Sequence, residues 1–315
     1  MGNRVLAVGE ALIDLVAARP GELTKTSGFV RKMGGAPLNV MAAANIFGAK
    51  SELFATVGND FFGDFILRKF SKYSSTKNII KVDKFTTLAF VSLTKDGERD
   101  FEFSRGADAE LTYDHIDKEI YNDSEIIVFS SATAFIDSKL KETYFKLVDK
   151  SASDKKIVVF DPNYRENLIN DLDLYAKDIR YVFSKSDIIK LSDEEALMIT
   201  GESSIDNAIK ELSKSENKTI FVTLGKKGFY LISNGKSELH KPIITVNSID
   251  TTGAGDVFLG CIIGLISKIE DKRNITDEEI LKIAKKSSIA AALSTTKKGA
   301  LSAIPSMKEV ERYSI

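Results

Sequence analysis

Seven consecutive residues, Asp250-Thr-Thr-Gly-Ala-Gly-Asp256, set two carboxylates and a run of small residues directly before the apolar stretch Val-Phe-Leu-Gly-Cys-Ile-Ile-Gly-Leu265. Small residues let backbone N–H groups come close to a ligand, and a helix start favours an anion. Consecutive N–H groups in such a turn form an anion-binding nest. Asp256 puts a carboxylate just inside that nest, where it can take a proton from a hydroxyl nucleophile. A glycine-rich helix cap alone calls for neither Gly-Ala-Gly nor an acidic first turn on an apolar helix. A proton acceptor beside an anion hole is what phosphoryl transfer to an alcohol requires, because that reaction rests on positioning and charge stabilisation.

Gly34-Gly-Ala-Pro-Leu-Asn39 is a second candidate. Paired glycines followed by proline permit close approach and aim a helix dipole at a ligand. An ordinary loop-to-helix turn has the same residues, but Asn39 adds a donor and an acceptor beside them. Glu10 and Asp14 follow the first apolar run, where open α/β sheets bind ligands; as solvated loop carboxylates they need none. Asp161-Pro-Asn-Tyr-Arg165 follows another strand end, and Arg165 suits a phosphate, hydroxyl groups, or a plain surface turn. In Lys190-Leu-Ser-Asp-Glu-Glu195, Ser192 and Glu195 match a capping box, which explains the pair as well as metal or phosphate contact does. Thr223-Leu-Gly-Lys-Lys-Gly228 is a glycine-containing turn after a strand. Gly235-Lys-Ser237 ends like a phosphate-binding loop, but Tyr230 stands where the leading glycine belongs, and strand patterns at 229–233 and 238–241 make it a hairpin turn. The two histidines, His115 and His240, have neither triad nor metal-ligand spacing.

These motifs sit at the ends of short β-branched runs at 5–8, 53–57, 126–130, 157–160, 188–191 and 219–223. Apolar throughout, such runs suit an α/β protein with a parallel sheet covered on both faces. Helices are expected at 37–47, between Pro37 and the stop at Gly48; at 194–200, before Gly201; and at 277–296, where Ile280, Ile283, Ala284, Ser287 and Ala291 share a side. Two segments break the pattern. Strands at 87–94 and 99–104 flank Lys95-Asp-Gly-Glu98, a hairpin signal, and Phe101 and Phe103 alternate with Asp100, Glu102 and Ser104. With residues 15–31 they are expected to form a small β-sheet placed to act as a lid. The expectation is one domain over 1–315, its lid drawn from about 15–31 and 87–104.

Composition narrows the setting. A chain of 315 residues, 43% hydrophobic and 28% charged, can bury a large core. Its 44 basic and 45 acidic residues leave a formal charge of −1. With no Lys/Arg-rich face, nucleic acid is not expected as a partner. The single cysteine, Cys261, allows no disulfide or cysteine-based zinc site within the chain and reads as a buried small hydrophobe. The start, Met1-Gly-Asn-Arg-Val-Leu-Ala-Val-Gly9, lacks a signal-peptide pattern, and no apolar run approaches the ~20 residues that span a bilayer. No membrane partner and a cytoplasmic location are expected, so the sequon Asn217-Lys-Thr219 reads as accidental.

In order along nearly the whole chain come Gly9-Glu-Ala-Leu-Ile-Asp14, Gly34-Gly-Ala-Pro-Leu-Asn39, Gly58-Asn-Asp-Phe-Phe-Gly63, Asp161-Pro-Asn-Tyr-Arg165, the segments 190–195, 223–228 and 250–256, and Lys298-Gly-Ala300. This series resembles the ribokinase-like (PfkB-type) carbohydrate kinases, and among them the bacterial fructokinases most. The resemblance implies a three-layer α/β/α fold with a mostly parallel central sheet and a β-sheet lid, which in some members is also a homodimer interface. It implies ATP with Mg2+ as donor and a primary hydroxyl of a ketohexose, foremost fructose, as acceptor, giving fructose 6-phosphate. Within the same fold, 2-keto-3-deoxygluconate, ribose or a nucleoside are alternative acceptors, and a sugar acid would call on Arg105 or Arg165. A non-catalytic sugar sensor would be expected to have a degraded base or anion hole, and here both are whole.

By the same resemblance Asp256 is the catalytic base, and Gly253, Ala254 and Gly255 supply the anion hole. Asp14, Gly34, Gly35, Asn39, Asn163 and Arg165 fall near the sugar, with Arg105 at the lid edge. Lys190, Ser192, Thr223, Gly225, Gly228 and Ser287 fall near the nucleotide, and Glu195 acts indirectly on magnesium. Asp250 and Thr252 match a monovalent-cation site that binds K+ in some relatives. Three positions depart from the pattern: Ser192 stands for an asparagine of the magnesium-linked motif, Ser287 for an asparagine near adenine, and Ala303 for a serine of the cation site.

Overall fold

The computed structural model describes residues 3–93 and 99–313. Its strands are β1 (Arg4–Val8), β2 (Leu12–Ala17), β3 (Phe29–Gly34), β4 (Lys50–Gly58), β5 (Ile79–Val82), β6 (Leu88–Leu93), β7 (Arg99–Ser104), β8 (Ile126–Ser130), β9 (Ile157–Asp161), β10 (Ile188–Ser192), β11 (Thr219–Thr223), β12 (Phe229–Ser233) and β13 (Lys236–His240). The helices are α1 (Ala36–Ile46), α2 (Phe61–Phe70), α3 (Lys118–Asp123), α4 (Lys139–Ser153), α5 (Leu172–Lys185), α6 (Asp193–Thr200), α7 (Ile205–Leu212), α8 (Ala254–Ile266), α9 (Asp277–Ser294) and α10 (Met307–Glu311).

Nine strands form one sheet in the order β13-β12-β11-β10-β9-β8-β1-β4-β5. From β11 to β5 neighbours run parallel, while β12 and β13 join antiparallel. Val5, Ala7, Ile126, Val128 and Val159 pack on the face covered by α1, α8 and α9. Leu6, Val8, Ile127, Phe129 and Val158 pack on the other face with α4 and α5. Both faces are covered, so both sets of side chains are mostly apolar, and the strands read as near-continuous apolar runs. Each fully buried Val, Leu, Ile or Phe side chain contributes about 1.5–3 kcal/mol. The three-layer α/β/α arrangement is the expected one.

Helix boundaries follow local chemistry. At α6, Ser192 Oγ accepts from the Glu195 N–H and a Glu195 carboxylate oxygen accepts from the Ser192 N–H, as the capping box predicts. Gly201, left-handed at φ 76°, ends that helix. Between β12 and β13, Asn234 and Gly235 both have positive φ, 50° and 73°, the geometry of a tight two-residue hairpin. Gly235-Lys-Ser237 is therefore a hairpin turn and not a phosphate loop.

A second sheet has the order β3-β2-β6-β7. Its strands reach further towards the main body than residues 15–31 would allow, because β2 begins at Leu12 and β3 continues to its partner Gly34. Pairing extends because Leu12 and Ile13 are buried at the junction and the Ile13 N–H donates to the Thr87 carbonyl. Asp14 and Gly34 thereby become strand residues of the small sheet. The hairpin signal at 95–98 lies outside the described residues.

Two features place the site. The chain passes from β1 to β4 on one side, while β8 flanks β1 on the other, so a crevice opens outside the carboxyl ends of β1 and β8. Helices α1 and α8 lie side by side in close contact. A Cβ on Gly260 would stand 2.5 Å from Ala43 Cβ and 2.6 Å from the Val40 carbonyl oxygen, and one on Gly264 would stand 2.7 Å from the Ala44 carbonyl oxygen. Glycine at both positions lets the helix backbones meet, and both N-termini open onto the crevice.

Candidate active site

The crevice holds a cavity of about 370 Å³ that includes Glu10, Asp14, Gly35, Asn39, Lys190 and Asp256 in its wall. Gly253, Ala254, Gly255, Asn163, Arg165, Ser192 and Glu195 line it as well. Twelve candidates from separate motifs, from Asp14 to Asp256, thus meet in one space with Thr252, which also lines it. Parallel strands β1, β8, β9 and β10 end on the same sheet edge, and the two helix N-termini close the space from one side.

Asp256 lies in the first turn of α8. Its Oδ2 accepts a hydrogen bond from Asn39 Nδ2 at 2.9 Å. Burial pushes the Asp256 carboxyl above the ordinary aspartate range, while the Asn39 bond and the charges of Lys190 and Arg165 pull it back. Directly before it, Gly253 caps the helix at φ 76°, and a Cβ there would lie 2.6 Å from Ala300 Cβ. That close approach and the positive φ require glycine at 253, while within the turn the Ala254 N–H donates a long bond to the Thr251 carbonyl at 3.3 Å. Asp250 shapes the approach: Oδ1 accepts from the N–H and hydroxyl of Thr252, and Oδ2 from the Gly299 N–H at 2.9 Å. Lys32 of β3 stands 3.9 Å from the same Oδ2.

Lys190 is buried at the end of β10, its Nζ 3.2 Å from Asp161 Oδ1 and 3.9 Å from Glu195 Oε2. Burial alone would pull its pKa down, but Asp161, Glu195 and Asp256 together hold it above the ordinary lysine value. Asp161 is fully buried, and burial raises its carboxyl despite the neighbouring ammonium. Asp161 Oδ1 also accepts from the N–H of Asn163, whose backbone is left-handed at φ 49°. That turn carries Arg165 into the cavity wall, with Nη1 donating to the Tyr164 carbonyl at 2.7 Å. Glu195 Oε1 accepts from the Tyr164 N–H at 2.8 Å, so the carboxylate joins α6 to the Arg165 loop. Among the described residues no group of three or more His, Cys, Asp and Glu is arranged to hold a metal ion.

The glycine pair before α1 serves two close approaches. A Cβ on Gly34 would lie 2.3 Å from Asp14 Oδ2, and one on Gly35, whose φ is 113°, would lie 2.5 Å from the Glu10 carbonyl oxygen. Glu10 is no solvated loop carboxylate. It is buried, and accepts from the Ala36 N–H at 3.1 Å, the Ala132 N–H at 3.3 Å, and the hydroxyls of Ser131 and Thr133. One donor is the first residue of α1 and the other three come from the loop after β8, which nothing near Glu10 in the chain could announce.

Other candidates lie elsewhere. Arg105 gives Nε to Asp108 at 3.1 Å, Nη1 to the Ile136 carbonyl at 3.3 Å, and Nη2 to the Thr133 carbonyl and Ser138 Oγ, both at 3.0 Å. It lines a second cavity of about 320 Å³ at the base of the small sheet. Ser287 is fully buried inside α9, its hydroxyl donating to the Ile283 carbonyl at 2.9 Å. Thr223 pairs with Ser192 across β10 and β11 and donates to the Leu191 carbonyl. Gly225 and Gly228 shape the following turn at φ 56° and 104°, along the same sheet edge but outside the main cavity. Thr251, Phe103 and Glu194 line the cavity without having been singled out from sequence. Of these, Thr251 and Glu194 lay inside motifs already read.

The chain and its fold have counterparts among known proteins. A model of the pfkB family of carbohydrate kinases matches residues 3–307. A protein of Arabidopsis thaliana named "Probable fructokinase-2" is 33% identical over 311 residues, covering 96% of this chain and 92% of its own. The crystal structure of fructokinase from Xylella fastidiosa with bound ATP superposes with a TM-score of 0.88 at 27% identity, covering 99% of this chain and 98% of the other. A double mutant of fructokinase from Vibrio cholerae O395, in its fructose-, ADP- and potassium-bound form, superposes with a TM-score of 0.87 at 26% identity over 99% and 98% of the two chains.

Proposed function

Because the chain belongs to the pfkB family of carbohydrate kinases, we propose that it transfers the γ-phosphate of ATP to a primary hydroxyl of fructose, giving fructose 6-phosphate and ADP. The observation that carries this reading is the carboxylate of Asp256 in the cavity wall beside the glycine turn that opens α8. Asp256 takes the hydroxyl proton as the sugar oxygen bonds to phosphorus and the bond from phosphorus to the ADP oxygen breaks. The N–H groups of Gly253, Ala254 and Gly255 hold the equatorial phosphoryl oxygens, and Lys190 adds a buried positive charge behind them. Asp14, Asn163 and Arg165 hold the sugar. The nucleotide runs from this turn past Ser192 towards Thr223, Gly225 and Gly228.

Magnesium would enter with the nucleotide, since Mg2+ keeps several waters and is bound through one or two carboxylates plus substrate phosphates. Glu194 in the cavity wall would meet its waters, and Glu195, whose oxygens accept from the Tyr164 and Ser192 N–H groups, would act on it indirectly by fixing that wall; the ion would supply charge neutralisation at the phosphates. Asp250, whose oxygens accept from Thr252 and Gly299, shapes the turn, and with Thr252 it is the place where a monovalent cation such as K+ would bind. The small sheet acts as a lid: Leu12, Asp14 and Phe103 reach the cavity from it. Closed, it keeps out water that would otherwise accept the phosphoryl group. The exposed Phe29 and Val30 on its edge strand suit a homodimer through the lid. The enzyme would work in the cytoplasm, and among the described residues no helix is long and apolar enough to cross a membrane.

Initial rates with ATP and a panel of fructose, ribose, 2-keto-3-deoxygluconate and a nucleoside test the acceptor. Fructose should rank first by kcat/KM. A higher value for 2-keto-3-deoxygluconate would replace fructose by a sugar acid and give Arg165 its carboxylate.

A further inference from the structure

Resting on the reading of Asp256 as the base, we infer that Asn39 is the residue that positions it, holding one carboxylate oxygen so that the other is presented to the sugar hydroxyl. A general base must sit within about 2.6–3.2 Å of the proton it removes, and a carboxylate that rotates about its last torsion spends little time there. Asn39 Nδ2 meets Asp256 Oδ2 at 2.9 Å, an ordinary hydrogen-bond distance. That fixes the torsion and leaves Oδ1 as the proton acceptor.

Three further observations support the assignment. Asn39 is 8% exposed, and among the described residues its Oδ1 has no hydrogen-bond partner. Leaving a buried amide oxygen unpaired costs stability, so the amide is not placed there for the fold's benefit. Turning the amide round would set its oxygen against the Asp256 carboxylate, so the NH2 end must face the base. Lastly, the contact is built into the helix pairing. The pairs Asn39 with Asp256, Ala43 with Gly260 and Phe47 with Gly264 advance in steps of four residues along α1 and α8. The two helices therefore run parallel with their backbones in contact, and neither can slide without breaking that register.

A double-mutant cycle separates this role from simple sugar contact. Asn39→Leu removes the donor while keeping the branched shape, Asp256→Asn removes the base, and the third variant carries both. At saturating ATP, Asn39→Leu should lower kcat by about 10–100-fold, part of the range a general base supplies. Its fructose KM should move less than about three-fold. The double variant should turn over no more slowly than Asp256→Asn alone, because Asn39 has nothing left to act through. Losses that multiply, or a raised KM with kcat intact, would make Asn39 a sugar ligand only and overturn the inference while leaving the base in place. Near-wild-type turnover in Asp256→Asn alone would instead remove the base itself, and the inference with it. Circular dichroism reports folding; if Asn39→Leu misfolds, Asn39→Ala, which only removes atoms, takes its place in the cycle.

Discussion

The Lys190 ammonium lies 3.2 Å, and its Cε 3.4 Å, from the point where a Cβ on Gly255 would stand. Glycine at 255 is thus the residue that lets a buried positive charge rest directly against the anion-binding turn. Gly255→Ala should push the ammonium away by a few tenths of an ångström, which the flexible lysine end can accommodate. Turnover should fall about ten-fold, as misplacement of a charged group near the reacting atoms does. The melting temperature should hardly move. Steady-state kinetics and a thermal melt on one preparation check this, and an intact kcat would show that Lys190 contributes no charge to the transfer.

Asp256→Asn should lower kcat by roughly 10²–10⁴-fold, the range for loss of a general base, with fructose binding by calorimetry retained. The wild-type enzyme carries a pH signature of the same group. The base works only when deprotonated, so kcat should be level on the alkaline side and fall as pH drops through the Asp256 pKa. Burial sets that midpoint above the ordinary aspartate value of 3.8, against the lowering influence of Asn39, Lys190 and Arg165, and Glu195 raises it further. An acid limb at or below 3.8, or full turnover in the asparagine variant, would take Asp256 out of the proton transfer.

Chemistry that needs a local arrangement was legible from the chain alone. Asp256 with Gly253 and Gly255, and Asn39 with Gly34 and Gly35, announce themselves because each turn must be built from neighbours. The strands were legible for a similar reason, since a sheet covered on both faces keeps its runs mostly apolar, with exceptions such as Thr56, Ser130 and Lys190. What sequence could not show were relations across the fold. Lys190 beneath Gly255 depends on β10 ending under α8. Glu10 looks like a solvent carboxylate until the loop after β8 brings Ser131, Ala132 and Thr133 onto it. The resemblance set Arg105 at the lid edge and Ser287 near the nucleotide, but not the partners that hold them: Asp108 and the carbonyls of Thr133 and Ile136 take up the guanidinium, and the Ile283 carbonyl takes the Ser287 hydroxyl.

Gly260→Ala should reach the active site from its distant place in α8. The added Cβ would meet Ala43 Cβ at 2.5 Å and the Val40 carbonyl oxygen at 2.6 Å, both on the rigid backbone side of α1. Such overpacking costs about 1–3 kcal/mol, which lowers the melting temperature by about 1–2 °C per kcal/mol in a chain of this length. Forcing α1 from α8 also lengthens the bond from Asn39 to Asp256, so kcat should fall while KM holds. Lost stability with kcat unchanged would show that the active-site geometry does not depend on this helix contact.

Phe103 on β7 lines both the main cavity and its neighbour, so its ring forms a wall between spaces of about 370 and 320 Å³. Phe103→Ala should join them and let water reach the phosphoryl site beneath the small sheet. Water competes with the sugar hydroxyl, and excluding it is the work assigned to the lid. Fructose KM should rise about ten-fold for loss of an aromatic wall, and ADP release without sugar should grow relative to release with it. Phe61→Ala is the control: that ring is 68% exposed on α2, outside the cavity wall, and its loss should change neither quantity. If sugar-independent ADP release stays at the wild-type ratio in Phe103→Ala, the small sheet is not what keeps water from the phosphoryl group, and the lid assignment falls while the base and anion hole stand.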